Sequence, residues 1–156
     1  MSLSNLQAIG RLQAQAPDPA SIVKLLQAPH QNLADARVQQ ISATNRFDAA
    51  YKCIMQCAML GLWANGWRTS TSQPGHHQTA IQTLDQTLEV DKADLIVLDA
   101  LRRQRNLSDY EGDPITQTTL LAGLQAAEKL LSHTERWLRE HHPEWNPAWP
   151  TSTWEK

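Results

Sequence analysis

The stretch Thr44–Asn65, TNRFDAAYKCIMQCAMLGLWAN, decides the fold of this chain. Phe47, Ala50, Tyr51, Ile54, Ala58 and Leu62 recur at spacings of three and four, which predicts a helix with one apolar face. Thr44 is a suitable N-cap, and Asn65-Gly66 suits a left-handed end. Downstream, the polar loop WRTSTSQPGHH leads into a helical pattern from His76 to Leu88. Asp91 can cap a helix from Lys92 to Tyr110, and Gly112-Asp113-Pro114 makes a turn. Thr116 opens a long helix to about His141, with Leu120, Leu124, Ala127, Leu131 and Leu138 on one face.

Upstream, Ser4–Gln15 has Leu6, Ile9 and Leu12 at helical spacing before the break Pro17-Asp18-Pro19. Asp18 can cap the segment Ala20–Gln27, with Pro19 at its first position. Pro29 interrupts that segment, and the pattern resumes from Gln31 with Leu33, Ala36, Val38 and Ile41, which reads as two short helices or one broken helix. No sustained period-two alternation marks a strand. The expected fold is therefore all-α: an antiparallel up-and-down helical bundle of four main helices preceded by N-terminal helical segments. One domain is expected over residues 1–142, with its core in 44–142. Residues 143–156, rich in proline and tryptophan, form a tail whose tryptophans dock on the bundle, dock on a neighbouring subunit or await a partner.

Charged residues make up 19% of the chain and its net charge is −2, against a usual charged share of about 25%. No block of like charge occurs, so an anionic partner must be attracted by a local patch. The opening MSLSNLQAIG lacks the charged n-region of a signal peptide. No apolar run is long enough to span a membrane, so a cytoplasmic protein is expected. Cys53 and Cys57 do not form a CxxC pair and lie within a helical pattern. They read as buried, reduced thiols, and neither a metal nor a cofactor is expected.

Two places concentrate chemistry. In Leu101–Gly112, LRRQRNLSDYEG, a helix aligns Arg102, Arg105, Asn106 and Asp109 as one polar stripe with Tyr110 at its edge. The stripe is either an ordinary helix end, where arginines favour the negative pole of the dipole, or a binding site. The second place is the loop carrying Arg68, His76 and His77. A helix starting there offers free N–H groups to an anion, and those three side chains can complete a cradle. Alternatively His76 simply caps the helix. Adjacent histidines on a helix diverge by about 100°, which disfavours a shared metal ion.

Several fragments, in this order, resemble the HEPN superfamily, in its branch of small stand-alone bacterial members. They are FDAAYKCIMQCAMLGLWANGWRTSTSQPGHH, then LDALRRQRNLSDYEG, then a long closing helix. The resemblance covers roughly residues 46–141. It implies a four-helix bundle that forms a homodimer. Many members are metal-independent ribonucleases of toxin–antitoxin, phage-defence or RNA-processing systems, and a small nucleotidyltransferase is the antitoxin partner to look for. Their active site is an arginine and a histidine separated by four to six residues, brought together across the dimer. By resemblance Arg105 is the motif arginine and Asn106 its polar follower, but Tyr110 stands where the histidine is expected. Histidine titrates near 6.5 and tyrosine near 10, so an efficient proton carrier for RNA cleavage is missing from that helix.

The resulting expectation is a homodimeric domain holding RNA or a nucleotide phosphate through Arg102, Arg105, Asn106 and Asp109, with Arg68, His76 and His77. One alternative is a weak metal-independent ribonuclease using Arg105, Asn106 and Tyr110. There, His76 or His77 would replace the missing group if the bundle brings the two places together. The other is a non-catalytic structural or partner-binding protein whose polar stripe is an interface network. The low basicity argues against strong nonspecific nucleic-acid binding, which rests on neutralising many phosphates.

Overall fold

A computed structural model of the chain describes residues 2–72 and 74–146. At its centre is α4, Ala43–Ala64, which has no charged residue after Lys52 and is buried round most of its circumference there. The chain is an all-α helical bundle built about this helix. Ser42, not Thr44, caps it: the Ser42 hydroxyl accepts the Asn45 N–H at 3.2 Å, which puts Thr44 inside the first turn. Gly66, at φ +86°, turns the chain away at the other end.

The other elements surround α4. They are α1 (Leu3–Ala8), α2 (Pro19–Leu25), α3 (Gln27–Ala36), α5 (His76–Gln82), α6 (Leu84–Thr87), α7 (Lys92–Glu111) and α8 (Gln117–His141). Among the described residues no helix is long and apolar enough to cross a membrane. Cys53 and Cys57 are buried and free, and burial pushes the Cys57 thiol well up.

Glycines set two of the closest approaches. A Cβ added at Gly123 of α8 would lie 3.1 Å from two atoms of the Phe47 ring, so the glycine admits the ring between α4 and α8. A Cβ at Gly61 would meet Thr87 Oγ1 at 2.7 Å and Leu88 Cγ at 2.9 Å. Those atoms belong to the chain packed over α4, so space must be forced open. Gly61→Ala is therefore expected to destabilise by about 1–3 kcal/mol through overpacking, read as a lower urea midpoint. An unchanged midpoint would show that α6 moves aside freely.

Helix α3 lies against both α4 and α8. Its C-terminal carbonyl on Ala36 accepts the Arg46 guanidinium at 2.9 Å. Near its start, His30 Nε2 contacts Glu135 Oε1 of α8. Glu135 is 3% exposed, and burial pushes its carboxyl up to about 8 although Arg139 works against this. Partial burial pushes the His30 imidazole down. Both directions favour a neutral pair, with the proton on Glu135 donated to the imidazole.

The structure corrects several local expectations. The N-terminal helix stops at Ala8, and Gly10 at φ +79° redirects the chain. The next segment is a strand, β1 (Leu12–Ala14), paired antiparallel with β2 (Trp67–Thr69) in the register Leu12↔Thr69, Gln13↔Arg68, Ala14↔Trp67. Strands of three residues are too short to show an alternation, so composition gave no sign of them. The helix expected over His76–Leu88 breaks at Thr83, whose hydroxyl bonds back to the carbonyls of Thr79 and Ala80. Helix α3 ends at Ala36, which leaves Val38 and Ile41 exposed beyond it. Pro29 does not interrupt a helix but sits in the first turn of α3, where its missing N–H costs nothing. Past α8, Pro143–Trp145 forms a 3₁₀ turn instead of irregular chain. Trp145 stacks on His142 at 3.7 Å and packs against the core. Trp149 and Trp154 lie outside the described residues.

Candidate functional site

Along α4, Asp48, Lys52 and Gln56 follow one another at four-residue intervals, a polar line on a helix that is mostly apolar beyond its first turn. This line, with Tyr51 beside it, forms one wall of a cleft of about 600 Å³. Arg105 of α7 and His77 of α5 also line the cleft, as does Asn32 of α3. Four helices thus contribute side chains to one space.

Tyr51 joins the parts. Its ring is buried and its hydroxyl lies 3.1 Å from His77 Nδ1. The Arg105 guanidinium sits over the ring, 5.3 Å from its centroid, at cation–π distance. Burial pushes the Tyr51 phenol up to about 12, against the pull of Arg105 and Arg102. The phenol therefore stays protonated and can donate to His77. Burial pushes the His77 imidazole below its ordinary range, and His76, Arg105 and Arg102 add to the effect. A neutral imidazole near pH 7 is the result. Asp48 moves the opposite way: burial and Asp109 raise its carboxyl, while Arg105 and Lys52 hold it down.

Arg105 also pairs with Asp109 one turn on, at 2.9 Å, as the stripe on LRRQRNLSDYEG predicts. Arg102 and Arg103 both pair with Asp99, at 2.9 and 3.1 Å. These carboxylates hold the guanidiniums in place and lower the net positive charge that a ligand meets. Asn106 lies half-buried on the same helix.

The chain finds no match among family models, curated proteins or solved structures.

The residues singled out from the sequence divide in space. Arg105 and His77 come into one cleft, although they belong to the two separate places read as chemistry-bearing. His76 reaches it only through an edge-on contact with the His77 ring at 4.7 Å. Tyr110 lies elsewhere: five residues beyond Arg105 it falls about 140° round the helix and is 78% exposed. Arg68 lines two other clefts, one with Trp63 and Trp67 and one with Gln13 and the Thr69–Ser72 turn. The structure thus does not assemble Arg68, His76 and His77 as an anion cradle, because β2 takes Arg68 into the ribbon with β1. Sequence reasoning assigned Tyr51 to the core and passed over Asp48 and Lys52. The four-residue repeat of polar residues on α4 was the signal for that wall.

Proposed function

We propose that this chain is an HEPN-like domain that holds RNA, or another phosphate-bearing ligand, in the cleft between α4, α5 and α7. The observation that carries the reading is the arrangement of Arg105 over the Tyr51 ring while the Tyr51 hydroxyl engages His77. An arginine fork fixed in this way matches phosphate geometry, and Lys52 stands on the facing helix. A phosphate would take the place of Asp109 on the Arg105 guanidinium. Homodimer formation is supported by the outer side of α7, where Ile96, Ala100, Leu107 and Tyr110 are all exposed. Their spacings suit a helix–helix seam.

Fluorescence anisotropy with a labelled single-stranded RNA tests the reading. Affinity should fall with salt, and Arg105→Ala should weaken binding at least tenfold. Arg68→Ala, outside the cleft, should leave it unchanged. Equal binding by wild type and Arg105→Ala would refute it.

A metal-independent ribonuclease is the second reading, favoured by His77. The cleft supplies from α5 the imidazole that α7 lacks, and it is neutral near pH 7. With the ring proton on Nδ1 and donated to the Tyr51 oxygen, His77 Nε2 can take the proton of a ribose 2′-hydroxyl while Arg105 stabilises the charge on the phosphoryl oxygens. Under this reading, RNA is cleaved in the presence of a chelator, and His77→Ala slows cleavage by about 10²–10⁴-fold. RNA left intact by wild-type protein leaves binding as the function.

A further inference from the structure

Beyond the phosphate-binding end, the same cleft extends along α4 to a patch of different chemistry. One turn past Lys52 stands Gln56, whose side-chain carbonyl accepts an N–H from Asn32 of α3 at 2.8 Å. This bond leaves the Gln56 amide N–H group and the Asn32 carbonyl oxygen as a donor and an acceptor at the cleft wall. Met55 and Met59, four residues apart on α4, lie beside them. Thioether side chains are flat-packing and polarizable, and they make favourable contacts with aromatic rings.

We infer that this patch is a nucleobase subsite, so that the cleft takes a nucleotide unit and not merely a phosphate. The inference rests on the phosphate reading of the cleft. Lys52 and Gln56 are one helical turn apart, about 6 Å along the axis, which is the scale of the step from a nucleotide's 5′-phosphate to its base. With the phosphate on Arg105 and Lys52, the base lies over Met55 and Met59. Its hydrogen-bonding edge then meets the Asn32–Gln56 amides, the side-chain type that pairs with base edges in two-point fashion. The amide pair has no evident need to face a cleft for stability: it joins α3 to α4, which are already packed together through buried Leu33 and Ala36. Asp48, on the opposite side of Lys52 from Gln56, is not part of the subsite.

Calorimetric titration with adenosine, cytidine, guanosine and uridine 5′-monophosphates, each against ribose 5-phosphate, tests this. At least one nucleotide should bind tenfold or more tightly than ribose 5-phosphate. Asn32→Ala and Gln56→Ala should each remove that gap while leaving ribose 5-phosphate affinity unchanged, with circular dichroism confirming the fold. Two variants on different helices guard against the loss of either one to misfolding. Equal binding of nucleotides and ribose 5-phosphate, abolished by Arg105→Ala, would overturn the base subsite and leave the phosphate site standing. A gap that persists in both variants would overturn the role of the amides. Binding of neither class would overturn both readings.

Discussion

Phe47→Ala is expected to destabilise the protein by about 3–5 kcal/mol, the usual cost of truncating a buried aromatic residue. Its thermal midpoint should fall by roughly 6–20 °C, at two to four degrees per kcal/mol for a chain of this size. The ring is 1% exposed and lies against Gly123. A glycine cannot extend a side chain into the vacated volume, and α4 and α8 are both long and cannot shift as one residue can. The cavity therefore persists, which puts the cost at the upper end of its range. A double-mutant cycle sharpens the test. Gly123→Ala alone should fall short of the roughly 1 kcal/mol that this change contributes inside a helix, because its methyl would press on Phe47. In the Phe47→Ala background the same change should be neutral or stabilising, because it fills the void. Additive effects would show that α4 and α8 do not meet through this pair.

The second large effect is a dependence of stability on pH. Glu135 titrates near 4.5 when exposed and is pushed up to about 8 in the fold. Between those values the unfolded chain is ionised while the native chain keeps the proton, so native protein binds more protons and stability falls as pH rises. His30 contributes with the opposite sign. Its imidazole is pushed below 6.5, so the unfolded state binds more protons below that pH, and stability rises until 6.5 is passed. From about pH 6.5 to 8 only the Glu135 contribution remains, and unfolding free energy should drop by on the order of 1–2 kcal/mol. Above 8 the drop levels off, because both states are then ionised. Glu135→Gln keeps the shape and a hydrogen bond but cannot ionise, and it should flatten the decline in urea titrations across this window. The buried thiol of Cys57 on α4 and the Arg139 guanidinium on α8 also act in this neighbourhood. A decline that survives unchanged in Glu135→Gln would show that Glu135 is not its source.

Much of this fold was legible because a helix reports itself locally. Phe47, Ala50 and Ile54 on α4 need only their own spacing to reveal a face, and Gly66 and Gly112 mark ends that few other residues tolerate. The ribbon of Leu12–Ala14 with Trp67–Thr69 was not legible. Its partners are far apart in sequence, and each strand is shorter than the pattern that would betray it. The candidate site shows the same division. Arg105 and Asp109 are neighbours on one helix, and their pairing follows from the four-residue spacing. Tyr51 looked like core because its ring is core; only its hydroxyl, at His77, belongs to the cleft. That α5 would bring His77 to the helix carrying Arg105 depends on how α5 packs against α4 and α7, which no local pattern encodes.

Among the twenty residues of α7, only Leu98 and Leu101 are fully buried, whereas α4 and α8 are anchored along their lengths. Opening free energy in a native protein follows such anchoring. Amide hydrogen exchange should therefore run faster in α7 than in α4, at a cost below that of global unfolding. Arg105 rides on this lightly held helix, whereas Tyr51 and Lys52 sit on the firmest one. A ligand bridging them would tie α7 down, and slower exchange along α7 would report occupancy of the cleft without any assay of turnover.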